Sequence, residues 1–248
     1  MTTPWFALGV FQRNGVTTNL YLELLKNVLT DQINHPSEAR LEGTDWPENG
    51  FTMIGLKRLE NIQKCATEVL KQNIEGDFLE AGVWKGGASI FMRAILKSLE
   101  IHDKSVWLAD SFQGLPPPNP AYPADKDDTH YQFEDLAVSL EQVKRNFQAF
   151  DLLDGQVKFI EGWFHESLYT APVDRISLLR LDGDMYESTY VSLDALYHKV
   201  SAGGFVIIDD YGYIESCRRA VHDFLDKNAL QPNIQKIDWT GVYWRKEA

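Results

Sequence analysis

The chain has 248 residues and a formal net charge of −12, with 44% hydrophobic and 24% charged residues. This length is sufficient for one large α/β domain with a substantial core, and the composition is typical of a globular protein rather than a disordered chain. The acidic balance argues against nucleic acid and anionic membranes as partners, because phosphate-rich surfaces attract clustered lysine and arginine. The negative net charge is compatible with cationic ligands and with metal ions.

The two cysteines, Cys65 and Cys217, are too few for a disulfide framework and lack zinc-site spacing. Each lies in an apolar helical pattern, so we expect both to be buried and reduced. The N-terminus has no basic region followed by an apolar stretch, and no apolar run is long enough for a membrane span. We therefore expect a cytoplasmic protein.

Helical periodicity dominates residues 1–75, and strand and helix patterns alternate after that. The predicted strands are 77–81, 105–109, 157–160, 176–181 and 204–208, followed by a closing hairpin of 234–237 and 242–245. The predicted helices are 88–99, 139–150, 189–200 and 215–225, and Ser139 with Gln142 gives the second of them a capping-box start. This alternation predicts a mostly parallel sheet with helices on both faces.

Ligands of such sheets bind beyond the carboxyl ends of the strands. The first strand ends in the glycine-rich turn Glu80–Gly87, which lets a ligand approach the backbone. Its spacing departs from the GxGxxG dinucleotide fingerprint, which weakens an NAD interpretation. The acidic Glu80 suits a cationic ligand better than a pyrophosphate. A tight turn without a ligand is an equally good alternative on this motif alone.

The next two strands end in residues that suit an adenosine. Asp110 follows the second strand, where a carboxylate commonly accepts both ribose hydroxyls. Taken alone, Asp110 fits a helix N-cap better, but together with the glycine-rich turn the ribose role is favoured. Trp163 and Phe164 follow the third strand, where an aromatic pair can sandwich an adenine, although aromatics more often belong to the core.

Residues 113–136 form a long connection that contains five prolines and the acidic stretch Asp125–Asp128. Structureless connections of this length are usually lids or binding loops, or else disordered. We interpret this one as a lid over the active site. His130 lies within it and is a candidate proton acceptor, while the other histidines fit structural roles.

Three aspartates carry the strongest chemical signal. Asp182 follows the fourth strand, and Asp209 and Asp210 follow the fifth. Neighbouring parallel strands bring their ends close together, and carboxylates gathered there repel unless a cation or shared proton relieves them. A hard divalent ion such as Mg²⁺ takes oxygen ligands of this kind. The alternative is that Asp209 and Asp210 cap the next helix, and for Asp184 we favour a solvent-facing role.

Seven segments resemble the macrocin O-methyltransferase family, which also includes the noviose O-methyltransferase of aminocoumarin biosynthesis. They are Asp45–Pro47, Thr52–Arg58, Glu80–Gly87, Asp110–Pro116, Gly162–Phe164, Leu179–Thr189 and Asp209–Tyr211. They occur in the family's order, and the resemblance extends from near Asn19 to Arg245.

The resemblance implies a class I S-adenosylmethionine (SAM) methyltransferase with a Rossmann-like α/β fold. This fold has a mostly parallel seven-stranded sheet with a terminal antiparallel hairpin, spanning residues 76–248. Residues 1–75 would form a helical extension that contacts the substrate or a second subunit, with core packing as an equal alternative. The implied reaction is Mg²⁺-dependent methyl transfer to a hydroxyl, usually of a sugar on a small-molecule natural product, in a homodimer or larger homo-oligomer.

By the same resemblance, Asp182, Asp209 and Asp210 match metal ligands, and Asp182 also matches a proposed general base. Two other functions stay open: methylation of a phenol, catechol or polyketide hydroxyl, and SAM binding without catalysis. The intact set of metal carboxylates argues against the second. The expected cofactor contacts are Met53, Glu80, Gly82, Val83, Trp84, Asp110, Ser111, Phe112, Gly162, Trp163, Phe164 and Asp182.

Overall fold

A computed structural model describes residues 18–247, which contain a seven-stranded sheet of order β3-β2-β1-β4-β5-β7-β6. The first five strands in chain order are mutually parallel, and β7 pairs antiparallel with both β5 and β6. The predicted mostly parallel sheet with a closing antiparallel hairpin is therefore confirmed. The strands are β1 (Asp77–Ala81), β2 (Val106–Asp110), β3 (Val157–Glu161), β4 (Ile176–Leu181), β5 (Val200–Ile208), β6 (Gln235–Lys236) and β7 (Val242–Arg245).

Eight helices accompany the sheet in the described part of the chain. They are α1 (18–29), α2 (Glu38–Glu42), α3 (Leu56–Lys71), α4 (Gly87–Ser98), α5 (Leu140–Ala149), α6 (Phe164–Ser167), α7 (Tyr186–Leu196) and α8 (Glu215–Lys227). The side chain of Ser139 accepts a hydrogen bond from the backbone N–H of Gln142, which confirms the predicted start of α5. Short 3₁₀ turns lie at Pro123–Asp125, His130–Gln132, Glu134–Leu136 and Tyr197–Lys199.

The two faces of the sheet carry separate parts of the core, because successive strand residues point to opposite sides. Phe78 packs with apolar residues of α1, α3, α4 and α5, whereas its neighbour Leu79 packs with those of α7 and α8. The N-terminal helices α1 and α3 thus share one core with α4. Residues 1–17 of the predicted helical extension lie outside the described residues.

Both cysteines are buried and free, as predicted: Cys65 lies in α3 and Cys217 in α8. Burial raises the pKa of the Cys65 thiol to about 12. Among the described residues, no helix is both long enough and apolar enough to cross a membrane.

The largest departure from the predicted elements concerns the helix expected at 189–200. It begins earlier, at Tyr186, and ends at Leu196, and Val200 already belongs to β5. The early start depends on a partner that is distant in sequence, since the local residue Met185 supplies no side-chain cap. A local pattern cannot reveal such a partner. The predicted strand at 234–237 is reduced to the two residues of β6.

Candidate active site

A cavity of about 330 Å³ opens beyond the carboxyl ends of the central strands. It lies where the chain order of the sheet reverses between β1 and β4, the position at which open α/β sheets bind ligands. Its walls include Glu80 from β1, Asp110 from β2, Asp182 after β4, and Asp209 and Asp210 after β5. The sheet therefore gathers the acidic strand ends that the sequence singled out.

The turn after β1 passes close to the turn after β4. Gly82 has a φ of +90°, and a Cβ placed on it would lie 1.6 Å from the carbonyl oxygen of Asp182. The backbone N–H of Asp182 in turn donates to the carbonyl of Ala81 at 2.8 Å. Only glycine allows this approach, which joins the glycine-rich turn to the carboxylate cluster.

Two residues that are not glycine also adopt left-handed backbone conformations in the cavity wall. Trp84 has a φ of 47° and Asp184 a φ of 57°. Such conformations cost free energy for ordinary residues and concentrate at functional sites.

Asp110 organises the glycine-rich turn. One carboxylate oxygen accepts the backbone N–H of Val83 at 2.7 Å, and the other accepts that of Phe112 at 2.7 Å. The hydroxyl of Ser111 approaches one of these oxygens at 3.5 Å. A carboxylate has about four lone-pair sites, so these bonds still leave room for a ribose hydroxyl. No helix begins directly after Asp110, so the helix N-cap interpretation is wrong, and the ribose role stays a prediction.

Glu80 is paired within the protein. Its side chain is 1% exposed, forms an ion pair with Arg180 and accepts a hydrogen bond from the hydroxyl of Ser89. Desolvation by burial raises the pKa of Glu80 to about 7, although Arg180 and Ser89 act in the opposite direction. Because the carboxylate of Glu80 already pairs with Arg180, its attraction for a cationic ligand is weakened.

The predicted metal ligands converge. Oxygen atoms of Asp182, Asp209 and Asp210 lie within 4.8 Å of one another. Asp209 is held between two guanidinium groups, one from Arg58 and one from Arg180, the latter at 2.5 Å. The alternative role for Asp209 and Asp210, as caps of the next helix, is not what the structure shows, because α8 begins at Glu215 and has no side-chain cap.

The cluster carries more negative charge than its two arginines balance. The pKa of Asp210 lies well above its ordinary value, because of burial and of repulsion from Asp184 and Asp182. The pKa of Asp184 is raised to about 7, first by burial and then by Asp182. Close carboxylates in this state accept either protons or a cation, and all of them offer the oxygen ligands of a hard divalent ion. The donor set therefore fits Mg²⁺.

The 113–136 segment borders the cavity. His130 lines it, and the Nδ1 atom of His130 lies 2.8 Å from an oxygen of Asp128. The indole N–H of Trp84 donates to the carbonyl of Asp135 at 2.8 Å, and Phe133 packs edge-to-face on Trp46 with 6.0 Å between ring centroids. The segment is thus fixed to both the glycine-rich turn and the N-terminal region.

Most of the other expected cofactor contacts also line the cavity, but two do not. Phe112 is 6% exposed and packs against Phe159 in the core, so only its backbone is near the site. Gly162 lies behind the wall as well, hydrogen-bonded through its N–H to the carbonyl of Asp110. The expected contacts that do line the cavity are Met53, Glu80, Gly82, Val83, Trp84, Asp110, Ser111, Trp163, Phe164 and Asp182.

Sequence reasoning missed several residues of the site. Arg180 lies in a strand whose six residues are all buried. A charged residue in such a strand needs a partner of opposite charge, so its presence in the apolar pattern could have indicated a buried ion pair. Arg58 lies on a helix far away in sequence, and no local pattern indicates its bond to Asp209. Asp184 was expected to face solvent, but it is half-buried in the cavity wall, where its backbone N–H donates to Asp210 at 3.2 Å.

The chain is similar to known proteins over nearly its whole length. The family model described as Macrocin-O-methyltransferase (TylF) matches residues 17–246. Demethyldecarbamoylnovobiocin O-methyltransferase of Streptomyces niveus is 45% identical over 246 residues, covering 92% of this chain and 94% of that protein. Mycinamicin III 3''-O-methyltransferase of Micromonospora griseorubida is 44% identical over 247 residues, covering 92% of this chain and 97% of that protein.

Solved structures show the same fold. The O-methyltransferase NovP superposes with a TM-score of 0.91 at 46% identity, covering 93% of this chain and 100% of that one. The calicheamicin methyltransferase CalS11 superposes with a TM-score of 0.63 at 19% identity, covering 90% and 91%, and this likeness concerns the fold alone. The architecture is that of class I SAM-dependent methyltransferases.

Proposed function

The chain belongs to the macrocin O-methyltransferase family and is an O-methyltransferase, and on this premise we propose its substrates and cofactors. It transfers a methyl group from SAM to a hydroxyl of a sugar on a natural-product glycoside, with Mg²⁺ at the carboxylate cluster. One observation carries the proposal: Asp182, Asp209 and Asp210 lie together in the same cavity as the glycine-rich turn.

The cofactor end of the cavity is formed by the turns after β1 and β2. Gly82 allows close approach to the backbone, and Asp110 can accept ribose hydroxyls while it holds the turn at Val83. Trp163 and Phe164 supply aromatic surface for an adenine. SAM supplies an electrophilic methyl group for in-line displacement, and fixed orientation of donor and acceptor lowers the barrier.

The acceptor end lies at the carboxylates. Asp182, Asp209 and Asp210 would hold Mg²⁺, which when bound lowers the pKa of a nearby hydroxyl. Asp182 takes the hydroxyl proton as general base. The Oδ2 atom of Asp182 lies 3.0 Å from a guanidinium nitrogen of Arg180, and this ion pair fixes the orientation of the carboxylate. His130 faces the same cavity and is the second candidate for a proton acceptor.

The test is a methylation assay with SAM and Mg²⁺ against a panel of deoxysugar glycosides and phenols, scored by a mass gain of one methyl group. We expect methylation of a glycoside. Methylation of phenols or catechols alone would replace the sugar acceptor with the second candidate class. The name of one relative favours the sugar, since an enzyme of Streptomyces olivaceus that is 45% identical is named for a tetracenomycin with a rhamnosyl group.

Asp182→Asn tests the mechanism. It keeps the side-chain shape but removes a metal ligand and the base, so turnover should fall by at least about 100-fold, the usual contribution of a general base. Binding of SAM, measured by calorimetry, should stay largely intact, and EDTA should abolish turnover of the wild type. Full activity in the variant or in EDTA contradicts the metal mechanism.

A homodimer is the second part of the proposal. Helix α1 buries Leu25 in the core but leaves Leu20 67% and Leu24 59% exposed. An apolar stripe on the outer side of a helix suits contact with a second subunit. Sedimentation equilibrium should give twice the chain mass, and Leu24→Glu should shift it toward the monomer. A wild-type monomer at micromolar concentration excludes this part.

A further inference from the structure

One residue of the 113–136 segment stands apart from its neighbours. Asp125 is 1% exposed and is the single residue of this segment that is buried. The flanking Lys126 and Asp127 are exposed, with 88% of the Asp127 side chain accessible. The other residues of this proline-rich connection are partly or fully exposed. A buried carboxylate among them requires a compensating interaction.

Asp125 finds that interaction at the start of α7. One of its carboxylate oxygens accepts the backbone N–H of Tyr186 at 2.7 Å, and the other accepts that of Glu187 at 2.8 Å. These two donors have no partner within the helix, and Met185 at the N-cap position supplies none. A carboxylate also stabilises the positive end of the helix dipole. The side chain of Asp125 therefore caps the N-terminus of α7 from about 60 residues away in the sequence.

Two further contacts surround this cap. The side-chain amide of Asn119 donates to Glu187 at 3.0 Å, and the ring of Tyr122 lies 5.9 Å from that of Tyr186. The capped turn follows Asp184, so the 113–136 segment is attached directly beside the carboxylate cluster. At its other end, Asp135 is held by Trp84. The segment is thereby fixed on both sides of His130.

We propose that Asp125 is the positioning residue of the lid. By capping α7, it holds residues 113–136 across the cavity and keeps His130 at the cavity wall. In this position the lid also slows the release of the cofactor from the cavity. That part of the inference rests on the proposed methyl transfer from SAM.

The test compares Asp125→Asn with Asp127→Asn. Both variants lose one negative charge from the same segment, but only the first affects the cap. In Asp125→Asn, one acceptor is replaced by an NH₂ group that faces a backbone N–H. Hydrogen exchange measured by mass spectrometry should accelerate about tenfold in residues 119–136 and at the start of α7, the size expected from loss of a helix cap. The exchange rates of the sheet should not change in Asp125→Asn. In Asp127→Asn, the exchange rates of all segments should stay at the wild-type values.

A second readout is the dissociation rate of S-adenosylhomocysteine, followed by tryptophan fluorescence. Its release should also be about tenfold faster in Asp125→Asn, because the binding-competent closed state is less populated. Unchanged exchange in the lid overturns the inference, as does faster exchange in all segments together, which indicates a merely structural role. If wild-type protein does not bind S-adenosylhomocysteine, the proposed function fails, whereas the exchange comparison still decides the role of Asp125.

Discussion

At the scale of single residues, two buried arginines hold the site together. Arg58 comes from α3 and pairs with Asp209 and Asp238, and Arg180 comes from β4 and pairs with Glu80, Asp182 and Asp209. Asp209 lies between them, so its carboxylate is oriented before any ligand binds. Burial of these charges is tolerated because each has a partner of opposite sign.

Arg58→Met should therefore destabilise the protein strongly. Removing one partner leaves the buried Asp209 and Asp238 short of positive charge, which costs about 3–5 kcal/mol of unfolding free energy. The measurement is urea denaturation. Arg175→Met is the matched control, because Arg175 pairs with Glu75 with 65% of its side chain exposed, and such a pair contributes less than about 1 kcal/mol. Equal effects of the two substitutions would contradict this account.

The two buried thiols should be almost unreactive in the native protein. Cys65 and Cys217 are both about 1% exposed or less, and burial raises the pKa of each thiol. The thiolate is the reactive form, so at pH 8 the native protein should react with iodoacetamide at a small fraction of the rate of the unfolded protein. Peptide mass spectrometry locates the labelled cysteine. Rapid labelling in the native state would show that the core around that cysteine opens readily and would contradict this prediction.

At the scale of elements, the connections after the strands make the site. The turn from β1 into α4 and the turn from β4 into α7 approach each other at Gly82 and Asp182. This contact couples the part of the cavity proposed for SAM to the part proposed for the metal. We therefore expect a change in one turn to displace the other.

Gly82→Ala tests this coupling. A Cβ would lie 1.6 Å from the carbonyl oxygen of Asp182, and the φ of +90° is itself unfavourable for alanine. We expect a loss of more than about 3 kcal/mol in stability, at the upper end of backbone strain at such sites, together with loss of methyl transfer. Gly155→Ala is the control, since a Cβ there meets nothing within 4 Å and the φ is not positive. Wild-type melting temperature in Gly82→Ala would disprove the close approach.

At the scale of the whole molecule, part of the charge of −12 has a defined position. Several carboxylates surround the two buried arginines at one edge of the sheet. Burial, and after it the repulsion between these carboxylates, raises the pKa of Asp184 and of Asp210. A divalent cation would relieve this repulsion. Ligand binding of this kind stabilises the folded state.

Mg²⁺ should therefore raise the melting temperature. At a concentration of about 100 times its dissociation constant, the stabilisation is about 2.7 kcal/mol, a shift of several degrees. Binding requires deprotonated carboxylates, and the pKa of Asp210 is raised, so the shift should shrink as the pH falls. Asp210→Asn should abolish the shift, whereas Asp174→Asn, at an exposed position, should retain it. No shift in the wild type would exclude a metal at this cluster.

The sequence by itself determined the sheet, most helix positions and the acidic strand ends, because these follow from short-range periodicity and from the rule that strand ends converge. It also carried the family resemblance. Only the tertiary structure decided what these groups contact: Glu80 binds Arg180, Asp184 lines the cavity, and Phe112 belongs to the core. The bond from Arg58 to Asp209 spans 151 positions, and the cap of α7 comes from Asp125 across 61. Such pairings depend on which surfaces meet when the chain packs, and no local pattern encodes them.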